Sequence, residues 1–303
     1  MELETKLQLK ATRTERKRFK IRWTPVLFLL PSVIVFLLFK YYLIFSAIYI
    51  SLFDYDIVNS PGKFVGLENY FRFLSTETFW LALKNTFIIF LLSIAVVFWV
   101  PIVQAIFLSE VKRANGVYRV LYQIPAILPG VAGALLWKWM YNPDRGLFNY
   151  LLGKIGLGPY GWLNDIAMTK FAIVLPGFFA SGGVGVLLYY AAIKSISSEI
   201  FESAKIDGCG PWGRLLHIVL PNIRFVIFIQ FITFMSGVLL TFDNIFILTQ
   251  GGPADASLVV SLLIQRSAFE QSDFGMSSAL SFFMFIVIGV LTIIQFKLQK
   301  EDD

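Results

Sequence analysis

The chain has 303 residues, of which 57% are apolar and only 15% charged, and its mean hydropathy is +0.70. A soluble domain carries about 25% Asp, Glu, Lys and Arg, so this composition excludes an ordinary soluble enzyme, a disordered chain and a small disulfide scaffold. A net charge of +6 would suggest nucleic acid in a soluble protein, but in so apolar a chain it points to loops facing an anionic membrane leaflet, with no nucleic-acid partner.

In chain order, residues 1–23 form a basic leader with eight Lys and Arg side chains from Lys6 to Arg22. Six stretches then reach the roughly 20 apolar residues that a bilayer requires: 24–52, 79–108, 119–141, 169–194, 222–248 and 275–298. The first is too long for a signal peptide and lacks a small-residue cleavage site. The second is the clearest, with only Ser93 and Gln104 interrupting Phe87–Leu108. No alternating pattern of strand length repeats, which disfavours a β-barrel. The expected fold is therefore all-α and polytopic, with a six-helix membrane domain over 24–298 and a short tail at 299–303. Pro25, Pro31, Pro101, Pro125, Pro129 and Pro176 punctuate the spans; kinked helices suit a chamber, and proline is also ordinary in membrane helices.

Basic residues orient the chain. The leader, Lys112, Arg113 and Arg119, then Lys194, Lys205, Arg214 and Arg224, and finally Lys297 and Lys300 put seventeen cations on one side. Lys63, Arg72, Arg145, Lys154 and Arg266 put five on the other, and Lys40, Lys84, Lys138 and Lys170 lie in or at the ends of spans. Both termini are expected in the cytoplasm.

The cytoplasmic segment 197–221 is the most organised. Ser198 is the expected N-cap, Glu199 sits in the first turn, and Ile200, Phe201 and Ala204 share a face. Gly208, Gly210 and Pro211 force a turn, and a second amphipathic run from Trp212 to Leu220 returns to the membrane at Pro221. Glu202-Ser203-Ala204, Gly208, Ile218 and Leu220-Pro221 resemble the EAA loop of binding-protein-dependent ABC importer permeases. Ser203 stands for the family's first alanine, and Cys209 for an alanine after Asp207-Gly208. Further segments resemble the carbohydrate, maltose-type branch: Phe64–Tyr70, Lys84-Asn85-Thr86, Tyr141–Asn149, Trp162–Asp165 and Phe242–Pro253. Leu43 departs from the family pattern, which often has a Tyr-Pro pair there.

The resemblance implies a type I importer permease in a bacterial cell membrane, contributing half of a translocation path for a sugar or oligosaccharide. Its implied partners are a second permease, two cytoplasmic ABC ATPases that carry ATP and magnesium, and an extracytoplasmic solute-binding protein. Glu202, Ser203, Ala204, Asp207 and Gly208 would form the ATPase-coupling loop; the alternative for Glu202 is a solvated surface acid. No cofactor is expected on this chain, since Lys63 and Lys154 follow glycine but Phe64 and Ile155 replace the Ser or Thr of a phosphate-binding loop. Ser181-Gly-Gly-Val-Gly185 lies within a span and reads as close helix packing. Cys209 reads as a small packing residue and His217 as a bystander.

Residues that suit a substrate path are Tyr189, Tyr190, Gln230, Thr233 and Ser236, which offer rings and hydrogen bonds to a sugar or polar glue between helices. Asp243 and Asn244, near the outer end of span five, are functional or helix-end groups. Lys40 lines the chamber, pairs with an acid or marks a displaced span end. The rival functions are a glycerol phosphate importer, a secondary transporter built on inverted repeats with broken helices, and a membrane-embedded enzyme, which one His, one Cys and the scarcity of paired acids oppose.

Overall fold

The computed structural model describes residues 23–56, 58, 62–111 and 115–301. The basic leader 1–22, Lys112, Arg113 and the last two residues lie outside the described residues. The chain divides into two units, one ending at Ser46 and one starting at Ala47.

The first unit contains α1 (Trp23–Phe36), a π-helical turn at Leu37–Tyr41 and the start of α2 (Tyr42–Ile50). Pro31 lies inside α1. Lys40 sits in the π turn, with Nζ 5.8 Å from the Phe36 ring centroid.

The second unit opens with a strand pair, β1 (Phe53–Asp54) and β2 (Lys63–Phe64), antiparallel with Phe53 opposite Phe64. It is the one departure from an all-α fold among the described residues. Helix α3 (Glu68–Leu74) follows, then a long span built from α4 (Glu77–Ser93), a π turn at Ile94–Phe98 and α5 (Val100–Glu110). The last two spans, within Pro211–Leu248 and Phe274–Gln299, are also long enough to cross a membrane.

Two spans are bent. Helices α6 (Asn115–Ile127) and α7 (Gly130–Met140) meet at 88°, and α9 (Thr169–Ala180) and α10 (Val184–Lys194) meet at 52°. Between α7 and α9 lie α8 (Leu147–Gly153) and a 3-10 turn at Trp162–Asn164. Proline explains the first bend: Pro129 has no N–H to continue the ladder and disfavours helical geometry at Leu128. Glycine explains the second: Gly183 has φ +93°, and a Cβ at Gly182 would lie 1.7 Å from the carbonyl oxygen of Tyr122. The Ser181–Gly185 run thus packs backbone against backbone, as expected of it. Bent spans alone therefore do not separate the permease from a secondary transporter, for which an inverted repeat with broken helices was expected.

Helices α11 (Ser198–Ile206) and α12 (Pro211–Arg214) build segment 197–214, and a π turn at Leu215–Val219 leads into α13 (Leu220–Leu239). The chain ends with α14 (Asp243–Leu248), α15 (Val260–Gln265), a π turn at Arg266–Glu270 and α16 (Phe274–Glu301). The main core joins α4, α9, α13, α15 and α16 through Phe79, Ile89, Ile173, Leu239, Leu262 and Leu280. A second core, against which Phe201 and Leu215 pack, joins α5, α10 and α13 through Leu108, Val186, Tyr189 and Ile223.

Candidate functional site

Segment 197–221 is a helix, a glycine turn and a second helix. Its N-cap is Ser197, whose Oγ accepts from the Glu199 N–H at 3.3 Å. The sequence reading placed the cap at Ser198; the chain stays non-helical one residue less, and Ser198 becomes the first helical residue. At the other end the Gly208 N–H donates to the Lys205 carbonyl at 3.2 Å and the Cys209 N–H to the Ala204 carbonyl at 2.8 Å. This double closure of the last carbonyls requires a left-handed residue just past the helix, and Gly208 supplies it with φ +77°. Apart from its chain neighbours, no atom of the described residues lies within 4 Å of a Cβ built on Gly208. Glu202, Ser203, Asp207 and Gly208 are exposed and Ala204 is half-buried, while Phe201 turns inward against the second core. Ile206 is 86% and Trp212 75% exposed. Cys209 packs as expected: a Cβ on Gly213 would come 2.6 Å from its Sγ. His217 Nδ1 lies 3.0 Å from the Gly213 carbonyl, a local contact within its own turn.

The substrate-path candidates separate. Tyr189, Gln230 and Thr233 line one cavity of about 220 Å³ with Val97, Pro101 and Ser181. The Tyr189 hydroxyl is buried there without a hydrogen-bond partner among the described residues. Thr233 Oγ1 donates to the Ile229 carbonyl at 3.3 Å. Asn244 lines a different cavity of about 300 Å³, at the bend of α6 and α7. Asp243 is exposed in the first turn of α14, where the helix dipole favours an acid. Tyr190 faces elsewhere: the Arg119 guanidinium carbon stands 4.2 Å from its ring centroid and Lys194 Nζ 5.9 Å. Ser236 is half-buried and lines neither cavity. Arg119 entered the sequence reading only as a topological charge; no spacing signal links it to Tyr190, seventy-one positions away.

The remaining family-like segments are structural. Asn69 Nδ2 donates to the carbonyls of Ser51 (2.8 Å) and Phe53 (2.9 Å), the Tyr70 hydroxyl shares a hydrogen bond with Ser51, and Arg72 pairs with Asp273. Asn85 Nδ2 donates to the carbonyls of Asp255 and Leu258, and Thr86 Oγ1 accepts from the Val260 N–H. The Lys84-Asn85-Thr86 segment therefore pins the loop that follows Pro253. Asn149 donates to the Pro143 and Tyr160 carbonyls and accepts from the Tyr160 N–H and the Trp162 indole, which ties Tyr141–Asn149 to Trp162–Asp165.

Apolar helices crossing a membrane, two of them bent, with an amphipathic helix pair on one end and a polar cavity among the spans, define a multi-pass membrane permease. Residues 102–300 match the family of binding-protein-dependent transport system inner membrane components, and the chain belongs to it. The trehalose/maltose transport system permease protein MalF of Thermococcus litoralis is 32% identical over 95% of this chain and 97% of its own. The sn-glycerol-3-phosphate transport system permease protein UgpA of Shigella flexneri is 30% identical, over 94% and 96%. A chain of a bacterial alginate ABC transporter, crystallised with an alginate pentasaccharide-bound periplasmic protein, is 25% identical with a TM-score of 0.79 over 90% of this chain and 92% of that one. The protein is thus an ABC importer permease, a transport component rather than an enzyme.

Proposed function

We propose that this permease carries a sugar or oligosaccharide, with a second permease completing the path. The observation that carries the substrate class is the cavity around Tyr189, Gln230 and Thr233, whose lining has hydroxyl, amide and ring groups and no charged side chain. A polyhydroxylated neutral solute suits such a lining, because hydroxyls give and take hydrogen bonds and sugar faces stack on rings. A phosphate ester would be left there without a cation. The similarity to MalF, a trehalose/maltose permease, supports this choice over the glycerol phosphate reading that UgpA represents.

Glu202, Ser203, Ala204, Asp207 and Gly208 are proposed to dock into one of two cytoplasmic ATPases, which bind ATP and magnesium; a periplasmic-type binding protein delivers the solute on the other side. Support comes from the exposed glycine-capped helix with apolar Ile206 and Trp212 at its turn. The imbalance of seventeen cations against five supports cytoplasmic termini.

Two measurements test this. Tyr189→Phe removes a hydroxyl that has no hydrogen-bond partner among the described residues, so membrane abundance and thermal stability should not move. One hydrogen bond to a neutral solute is worth about 0.5–1.5 kcal/mol, so sugar uptake in the assembled importer should need roughly 2–10 times more substrate. Unchanged uptake would remove Tyr189 from the path. For orientation, a membrane-impermeant maleimide should leave Cys209, the single thiol, unlabelled in intact cells and reach it in inverted vesicles; efficient labelling from outside would reverse the topology.

A further inference from the structure

A cavity of about 340 Å³ lies between segment 197–214 and the ends of α5 and α10, apart from the cavity assigned to the solute. Ile106, Ile193, Phe201 and Leu215 wall it, and its two charged groups are Glu110 on α5 and Arg214 on α12. Glu110 is exposed and is the last residue of α5. An acid there meets the negative end of the helix dipole, so nothing local favours it at that position. Lys194 reaches the same helix end but is committed to the backbone, since its Nζ donates to the Ser109 carbonyl at 2.9 Å. Arg214 ends α12, and its Nε is buried without a hydrogen-bond partner among the described residues. A buried donor of that kind calls for an acceptor. Neither Glu110 nor Arg214 makes an ion pair among the described residues.

Opposite charges that face one cavity without meeting suit an interface with two arrangements, because packed helices switch between discrete contacts rather than deform smoothly. Closing the cavity brings α12 onto the end of α5, and α5 carries the movement inward. Pro101, in its first turn, lines the solute cavity beside Val97 and Phe98 of the preceding π turn. From Pro101 to Glu110 the helix runs about 14 Å, at 1.5 Å per residue. We propose that Glu110 and Arg214 form an ion pair across this cavity when ATP closes the cytoplasmic ATPases, and that the pair moves α5 together with segment 197–214, so that the motion reaches the solute cavity at Pro101. This role rests on the ATPases docking at the turn around Gly208. Both are positioning residues: they transmit the movement and touch neither ATP nor the solute.

The test uses the assembled importer. Glu110→Gln and Arg214→Gln should each lower ATP hydrolysis about tenfold, the value of one hydrogen bond to a charged group, while co-purified ATPase and membrane abundance stay at the wild-type level. Without nucleotide the pair is open, so the thermal stability of either variant should equal that of wild type. Exchanging the charges, Glu110→Arg with Arg214→Glu, should restore most of the hydrolysis. In a Cys209→Ser background, Glu110→Cys with Arg214→Cys should be cross-linked by a short bismaleimide faster after trapping with ATP and vanadate than without nucleotide. Hydrolysis indifferent to both Gln variants, an exchanged pair no better than the single variants, or cross-linking indifferent to nucleotide would each overturn the pair while leaving the docking turn in place. Loss of the ATPases from the Gln variants would also overturn it, since the two residues would then hold the docking surface rather than transmit its movement. A wild-type permease that brings down no ATPase would overturn the docking reading and the pair with it.

Discussion

A Gly208→Val permease is expected to reach the membrane in normal amount, keep its partner permease, and lose its ATPases. Gly208 stands at φ +77°, where a β-branched side chain is strained by roughly 1–3 kcal/mol. The strain is relieved only by opening the turn, which would release the Ala204 and Lys205 carbonyls and re-aim the end of α11. Inside the chain the added side chain meets open space, so the membrane spans should not register it. A docked partner would meet it directly. At about 1.4 kcal/mol per factor of ten, backbone strain alone weakens docking by one to two orders of magnitude. Co-purified ATPase, membrane abundance and uptake, measured on the same preparation, decide the outcome. Normal uptake by the valine variant would refute the assignment of this turn to coupling. Glu202→Lys separates the carboxylate's part: transport near wild type would make Glu202 a solvated surface acid.

The second large effect is expected on stability. Asn149 is buried and makes four hydrogen bonds, two given and two received, between 2.9 and 3.1 Å. Asn149→Ala leaves the Trp162 indole N–H, the Tyr160 N–H and the Pro143 and Tyr160 carbonyls without this partner. Each unsatisfied buried group costs about 1–3 kcal/mol; water entering the loop would offset part of this, so a loss of about 3–4 kcal/mol is expected. The affected region is the aromatic cluster of Trp137, Tyr141, Phe148 and Trp162, which ties the end of α7 to the segment leading into α9. Thermal unfolding in detergent, followed by tryptophan fluorescence, should shift to lower temperature. A variant as stable as wild type would show that these hydrogen bonds are replaced by water at no cost.

By itself the sequence determined the solvent, pointed to an orientation and set the glycine turn of segment 197–221. Each rests on a local rule: a run of apolar residues long enough for a bilayer, a cation imbalance, and a glycine where a helix must close in left-handed geometry. Gly208 could be read because its conformation depends on its own missing Cβ. The exact N-cap could not, since Ser197 and Ser198 offer the same hydroxyl and only the path of the preceding chain chooses between them. Tertiary structure alone decided which polar residues meet. Tyr189 and Tyr190 are adjacent in sequence, yet one opens into a neutral cavity and the other stacks beneath Arg119, because successive residues on a helix point about 100° apart and different neighbours pack against each face. Asn85 and Asn149 looked like family markers; their partners lie 170 to 173 and 6 to 13 positions away, and only folding brings those carbonyls and ring nitrogens within reach. The two bends follow the same division: Pro129 announces its own break, while the turn at Gly182 exists because the Tyr122 carbonyl of another helix occupies the space where a side chain would stand.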